Sequence, residues 1–148
     1  MVGKGFHYFP LGGLVPIALE RNKIQNWLDY CFSTIRDKVK VHGFGINSFY
    51  LMQRYPFYSV DATSWLTYGQ KLAKVVIFDK GKMYSAGGMG RNGQFKGDIV
   101  KHPLLLTEFK DKENDLKYRD RDKRIVQEYI KAEEYLTRLW EKRGIKWE

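Results

Sequence analysis

The first sixty residues alternate short apolar runs with amphipathic helical patterns. Phe6–Leu11 is an aromatic-rich run that stops at Gly12 and Gly13, which predicts a buried strand followed by a glycine turn. Arg21–Lys38 carries apolar residues at the i, i+3, i+4 and i+7 spacing of one helix face, so we predict a helix with Asn22 as its N-cap. A strand and then a helix are therefore expected in this part of the chain.

A second strand, a second helix and a third strand follow. Val39–Gly45 predicts a strand that breaks into glycines, Asn47–Tyr55 a short helix ended by Pro56, and Phe57–Val60 a third strand. Helices between strands on connections this short imply a parallel sheet. Ligands collect at the carboxyl ends of such strands, so we expect any chemistry to lie there. The three strand ends are Gly12–Gly13, His42–Gly45 and Asp61–Trp65.

The pattern changes after residue 70. A turn signal, Asp79-Lys80-Gly81, separates two short apolar runs and predicts a β-hairpin. A glycine-rich loop follows, and then a long helix with one apolar stripe, ended by Gly144. The predicted ranges are 73–78 and 82–85 for the hairpin, 87–97 for the loop and 121–143 for the helix. The expected fold class is therefore α/β, with parallel strand–helix units, a β-hairpin and a long C-terminal helix.

The chain is strongly basic. It has 26 Lys and Arg against 17 Asp and Glu, a net charge of +9. Such an excess favours a polyanionic partner, most commonly nucleic acid. In the last third, however, bases and acids alternate, as in residues 119–124, and a mixed run of this kind is typical of a solvated surface.

Composition also bears on the compartment. No apolar run approaches the 18 residues of a membrane-spanning helix, and the first residues lack the pattern of a secretory signal. The single cysteine, Cys31, allows no internal disulfide, which suits a reducing compartment, and its place in the helical pattern predicts a buried thiol. We therefore expect a cytoplasmic protein with no membrane association.

The segment after the third strand carries the clearest candidate for chemistry. Alternation along the strand places Ser59 and Asp61 on one face and Val60 on the other. A carboxylate at a strand end can act as a nucleophile or general base. The alternative is that Asp61 caps a following helix.

The second strand ends in a further candidate. The glycines of Val41–Gly45 let a backbone approach a ligand closely, although a tight turn accounts for them equally well. His7, His42 and His102 lie far apart and have no Cys or paired acids at ligand spacing. A Walker phosphate loop and a dinucleotide motif are also missing, so no metal site and no cofactor are predicted.

Three segments, in this order, resemble the later strands of the tRNA-guanine transglycosylase family, whose fold is a (β/α)8 barrel. Residues 11–15, Leu-Gly-Gly-Leu-Val, are similar to the family's glycine-glycine-leucine loop, which holds the purine through backbone groups. Residues 41–45, Val-His-Gly-Phe-Gly, resemble the strand that ends in Gly-x-Gly before a short helix. Residues 58–61, Tyr-Ser-Val-Asp, resemble the Asp-x-x-Asp strand of the nucleophile, with Tyr58 and Ser59 where the earlier acid stands.

The resemblance covers residues 6–66. It extends to phage-type relatives of the family linked to 7-deazapurine in DNA, which are similar around residues 55–65 and, more weakly, in the C-terminal residues 136–145. For a phage-encoded chain the expected compartment is the cytoplasm of the host cell.

The length of 148 residues favours a single domain over residues 1–148. The resemblance implies a partial TIM barrel at 6–70, and the residue pattern adds the hairpin and glycine-rich loop at 71–100 and a charged segment with the C-terminal helix at 101–148. The implied activity is that of a pentosyltransferase, which exchanges guanine for a 7-deazaguanine in tRNA or DNA. Asp61 matches the nucleophile, and the implied substrate-binding residues are Gly12, Gly13, Leu14, His42, Gly43, Gly45 and Ser59. The expected nucleic-acid contacts are Lys71, Arg91 and Lys96.

The chain departs from the family in two ways. The family's zinc site of three Cys and one His is missing from this chain. The family also takes a second acid, a general base, from an earlier barrel strand. We expect that 148 residues have no room for those strands, because a full barrel needs at least about 200 residues. A complementary chain or a second copy of this one is therefore expected to complete the pocket. One alternative is a non-catalytic nucleic-acid-binding or assembly protein, in which Asp61 is buried or caps a helix. Another is an α/β subunit with a protein partner and no nucleic-acid role.

Overall fold

The computed structural model of the chain describes residues 7–14, 20–35, 39–62, 75–86 and 118–147. Over these ranges the chain is a mixed α/β structure with a parallel three-stranded sheet, an antiparallel hairpin and a C-terminal helix. The elements are β1 (Tyr8–Leu11), α1 (Arg21–Thr34), β2 (Lys40–Phe44), α2 (Phe49–Arg54), β3 (Ser59–Asp61), β4 (Val75–Asp79), β5 (Lys82–Ala86) and α3 (Tyr118–Lys142). No helix in these ranges is long and apolar enough to cross a membrane.

The chain divides into two compact units. The first combines Met1–Ala62 with Leu136–Glu148, and the second is Thr63–Tyr135. Compact units need not fold independently, so the single-domain assignment stays a prediction.

The first unit contains the parallel sheet, with strand order β1-β2-β3. Tyr8 of β1 pairs with Lys40 of β2, and His42 of β2 pairs with Ser59 of β3. The predicted alternation of strand, helix, strand, helix and strand is confirmed, and so is the parallel pairing. The carboxyl ends of all three strands therefore lie at the same edge of the sheet.

The two faces of this sheet differ in chemistry. Alternate strand residues, such as Phe9 and Val41, belong to or pack against one apolar cluster that also contains residues of α1 and α2. The buried members of that cluster are Leu11, Leu14, Ile24, Leu28, Cys31, Val41, Ile46, Leu51, Tyr55 and Phe57. The intervening residues of β1, Tyr8 and Pro10, are exposed, so the prediction of a wholly buried first strand was wrong. The strand is buried on one face alone.

Helix α1 is shorter than its sequence pattern predicts. It ends at Thr34 instead of Lys38, because Ile35 adopts an extended conformation and packs against the apolar cluster. The N-cap is Glu20, without a side-chain capping bond, and not Asn22. The apolar spacing alone predicts a longer helix, and the packing of Ile35 against the cluster ends it earlier. The predicted burial of Cys31 is confirmed, and burial raises the pKa of its thiol.

A polar cluster joins α1 to the end of α2. The Tyr55 hydroxyl donates to Asp29 Oδ1 at 2.8 Å, and Arg54 Nη2 donates to the same oxygen at 3.2 Å. The hydroxyl of Tyr55 and then the guanidinium of Arg54 hold the pKa of Asp29 below its ordinary value. The partners favour the charged carboxylate, so this cluster stabilises the fold more strongly when Asp29 is ionised.

The stability of the first unit is expected to fall with acid partly through Asp29. Because its pKa is lowered on folding, its contribution is complete above the unfolded value of about 3.9 and is lost as the pH falls through the lower folded value. The Asp29→Asn variant should therefore lose less stability below pH ~4 than the unaltered protein. Urea unfolding at several pH values measures this. An equal fall in the free energy of unfolding below pH ~4 in the two proteins would contradict it.

The last turns of α3 belong to the first unit and contact the end of α2. Trp140 Nε1 donates to the carbonyl of Met52 at 2.9 Å, and Arg143 Nη1 donates to the carbonyl of Gln53 at 2.6 Å. The last carbonyls of a helix have no partner within it, so these side chains satisfy two of them. Gly144 follows with a positive φ, which confirms the predicted helix end.

The second unit contains the hairpin and the earlier part of α3. Strands β4 and β5 pair in antiparallel register around Lys80 and Gly81, whose φ values of 45° and 78° suit a two-residue hairpin turn. Glu128 of α3 is buried, accepts the backbone N–H of Phe78 at 2.8 Å and contacts Lys131. The predicted hairpin and long helix are confirmed, with helix bounds of Tyr118–Lys142. The predicted loop at 87–97 lies outside the described residues.

Candidate functional site

Asp61 lies at the carboxyl edge of the parallel sheet. It is the last residue of β3 and pairs in register with Phe44, the last residue of β2. Its side chain is 59% exposed, and its Oδ1 accepts the backbone N–H of Gly45 at 3.0 Å. The carboxylate is thus held at one oxygen and open to solvent.

The turn after β2 supplies that backbone donor. Gly45 has a φ of +72°, a left-handed backbone conformation that costs residues other than glycine conformational free energy. At this turn its N–H is directed at the carboxylate of the neighbouring strand. The structure thus shows Gly45 as a donor to Asp61, and the substrate contact that the resemblance implies for Gly45 stays a prediction.

His42 lies between Ser59 and Asp61 on the same face of the sheet. Its Nδ1 is 2.8 Å from Ser59 Oγ, and its Nε2 is 3.8 Å from Asp61 Oδ1. The ring is 16% exposed. The hydroxyl of Tyr8 on β1 lies 3.4 Å from Ser59 Oγ, behind the serine. The strands therefore bring a hydroxyl, an imidazole and a carboxylate next to one another, and we call this set the Ser59–His42–Asp61 row.

The predicted alternation along β3 is confirmed. Ser59 and Asp61 both face His42, whereas Val60 packs against the apolar cluster. Asp61 is not buried, so that expectation of the non-catalytic alternative is not met. Its other expectation, a helix capped by Asp61, concerns residues from 63 onward, which lie outside the described residues.

Gly43 points to the opposite face from His42. A Cβ placed on Gly43 would lie 2.8 Å from Phe57 Cε1 and 2.9 Å from Ile46 Cγ1, within the apolar cluster. The glycine therefore lets the strand pack closely against an aromatic ring. Its expected contact with substrate stays a prediction.

Adding a single methyl group at Gly43 is expected to destabilise the first unit. The Gly43→Ala variant must displace Phe57 or the strand, and overpacking of this kind costs about 1–3 kcal/mol. Gly12→Ala is the matched control, since a Cβ there has no atom within 4 Å. Urea unfolding should show a lower midpoint for the first variant and little change for the second. Equal midpoints would contradict the close approach.

The base-reading loop predicted at residues 12–14 follows β1 at the same edge of the sheet. Gly12 and Gly13 are exposed, whereas the Leu14 side chain is 1% exposed and belongs to the apolar cluster. Any contact of Leu14 with a base is thus left to its backbone. The predicted nucleic-acid contacts Lys71, Arg91 and Lys96 lie outside the described residues.

Two aromatic residues of this face were not predicted as site residues. Phe44 is 47% exposed, and its ring lies edge-on to His42 at a centroid distance of 4.5 Å. The ring of Tyr8 lies at a centroid distance of 6.3 Å from His42, with the two ring planes 26° apart. Side chains alternate between the two faces along β1 and β2, as they do along β3. This alternation places Tyr8 and Phe44 on the face of Ser59 and Asp61, and it is the sequence signal that identifies them.

The described residues contain no group of three or more His, Cys, Asp or Glu side chains that could hold a metal ion. No protein-family model, curated protein or solved structure matches the chain.

Proposed function

We propose that this chain is a subunit or fragment of a tRNA-guanine transglycosylase-like enzyme, which exchanges guanine for a 7-deazaguanine in tRNA or DNA. The observation that carries the proposal is Asp61, an exposed carboxylate at the carboxyl end of a parallel strand with one oxygen anchored by Gly45. The ordered resemblance of three strand ends to that family gives the reaction class.

The chemistry follows from a nucleophilic carboxylate. Asp61 attacks the sugar C1′, a C–O bond forms, and the C1′–N9 bond breaks with its electron pair leaving on guanine, which takes up a proton. The incoming 7-deazaguanine loses its N9 proton and attacks C1′, so the carboxylate is released. The covalent intermediate separates one difficult exchange into two displacements.

The parallel sheet supplies one carboxylate to the proposed site. Asp61 is the sole acidic residue of β1, β2 and β3. A second acid, which the family uses as the general base, must therefore come from outside these strands. The proposal assigns it to a complementary chain or to a second copy, together with the strands that close a barrel. The net charge of +9 suits a partner of high negative charge.

Base exchange tests the proposal directly. The purified full chain, with any co-purifying protein, is incubated with tRNA or with duplex DNA and with a labelled 7-deazaguanine, and incorporated label is counted. Denaturing electrophoresis shows whether nucleic acid becomes covalently attached to the chain. Label in one nucleic acid supports the proposal and identifies the substrate. The native mass of the particle shows whether a second chain is present.

The non-catalytic alternative gives a different result in the same assay. It predicts binding of nucleic acid that weakens steeply with salt, with neither incorporated label nor a covalent adduct. This outcome would replace the enzymatic proposal. A chain that binds neither nucleic acid would favour a subunit with a protein partner alone.

A further inference from the structure

The Ser59–His42–Asp61 row has a geometry that the nucleophile alone does not explain. Both groups that approach Asp61 face the same oxygen, since the Gly45 N–H and His42 Nε2 lie 3.0 Å and 3.8 Å from Oδ1. Among the described residues, no donor reaches Oδ2. The two carboxylate oxygens therefore differ in their surroundings.

We propose that His42 is a positioning residue that holds Asp61 through Oδ1 and leaves Oδ2 as the oxygen that attacks C1′. The inference rests on the proposed function, in which Asp61 is the nucleophile. The distance from Nε2 to Oδ1 exceeds that of a hydrogen bond. Hydrogen bonds of catalytic groups are often long without substrate and shorten in the substrate complex.

Ser59 determines how the imidazole is presented. With Ser59 Oγ at 2.8 Å from Nδ1, the other ring nitrogen faces Asp61. A hydroxyl both donates and accepts, so Ser59 satisfies Nδ1 whether or not that nitrogen carries a proton. Tyr8 adds a second hydroxyl behind it. The contact between Ser59 and Nδ1 is thus compatible with either tautomer of the ring.

The groups around His42 favour a proton on Nε2. The Asp61 carboxylate lies within 4 Å of the ring and faces Nε2. The ring also contacts Ser59 and the rings of Tyr8 and Phe44, and Pro10 of β1 pairs with His42 in register. An ionised carboxylate attracts an N–H, so the neutral ring is expected as the Nε2–H tautomer, with Nδ1 accepting from Ser59.

Two substitutions of His42 test the roles of Nε2 and Nδ1 separately. His42→Gln retains an amide N–H at about the position of Nε2, whereas His42→Asn retains a polar group at about the position of Nδ1. The Asn variant is expected to lower kcat of base exchange on the order of 10²-fold with KM little changed, since a small misplacement of a reacting group costs about that much. The Gln variant should recover most of the loss. Ser59→Ala should match His42→Asn, and the double variant should add little to either.

A ring spectrum tests the pairing without relying on turnover. The ¹⁵N–¹H correlations of His42 in the labelled full chain are expected to show the Nε2–H tautomer, and Asp61→Asn should shift the balance toward Nδ1–H. A His42 spectrum unchanged by Asp61→Asn overturns the inference, and so does full exchange by His42→Asn. If the unaltered protein exchanges no base, the proposed function fails, and the spectrum alone decides whether His42 holds Asp61. The exposed substitution Tyr30→Phe on α1 is the control for both measurements.

Discussion

Replacing Asp61 by Asn is expected to lower the rate of base exchange at least about a thousandfold while the protein keeps its fold. The amide oxygen of Asn can still accept the Gly45 N–H, so the turn after β2 keeps its hydrogen bond. The amide cannot form the bond to C1′ that the carboxylate forms. The measurement is label incorporation together with loss of the covalent adduct on a denaturing gel.

The Asp61 result needs a carboxylate control in the same compact unit. Asp29→Asn makes the same chemical change on α1, away from the strand ends, and should retain exchange at neutral pH. Asp61→Ala is a second test, because it removes the carboxylate and the acceptor together. The loss of one exposed hydrogen bond costs about 1 kcal/mol, which leaves the fold intact. Full exchange by Asp61→Ala would exclude a nucleophilic role.

Leu28→Ala is expected to have the largest effect on stability, about 2–5 kcal/mol. Leu28 is 0% exposed and lies in the apolar cluster between α1 and the core face of the sheet. Truncation leaves a cavity that the surrounding side chains fill incompletely. The urea midpoint of the first unit should fall accordingly, and the exchange activity at low denaturant should follow the folded fraction.

An exposed position on the same helix is the control for Leu28. Asn26 is exposed, so Asn26→Ala should change the free energy of unfolding by no more than about 0.5 kcal/mol. A loss at Leu28 no larger than the loss at Asn26 would mean that α1 does not contribute to the core as the structure has it.

The order of elements followed from the sequence because its local signals agree. The apolar spacing around Leu28, the turn residues at Lys80–Gly81 and the glycine after α3 each specify one local conformation. Alternation along β3 was sufficient to group Ser59 with Asp61. These predictions needed no knowledge of distant contacts.

The remaining features depend on contacts across long stretches of sequence. The end of α1 is set by Ile35 packing against a cluster that includes residues of β2 and α2. The glycine at position 43 accommodates Phe57, fourteen residues later, which no local pattern reveals. The approach of His42 to Asp61 requires the parallel register between their strands. Sequence spacing alone therefore named the candidates without showing which of them touch.

Strand β2 has a consequence for redesigning the site. His42 and Phe44 lie at the candidate site, whereas Val41 and Gly43 face the core, so recognition and stability are encoded at different positions of the same five-residue strand. A combinatorial library varied at positions 42 and 44, with positions 41 and 43 kept, should present new side chains at the candidate site while most of its members still fold. Paralogues could diverge in substrate by the same route, since changes on one face need no compensation on the other.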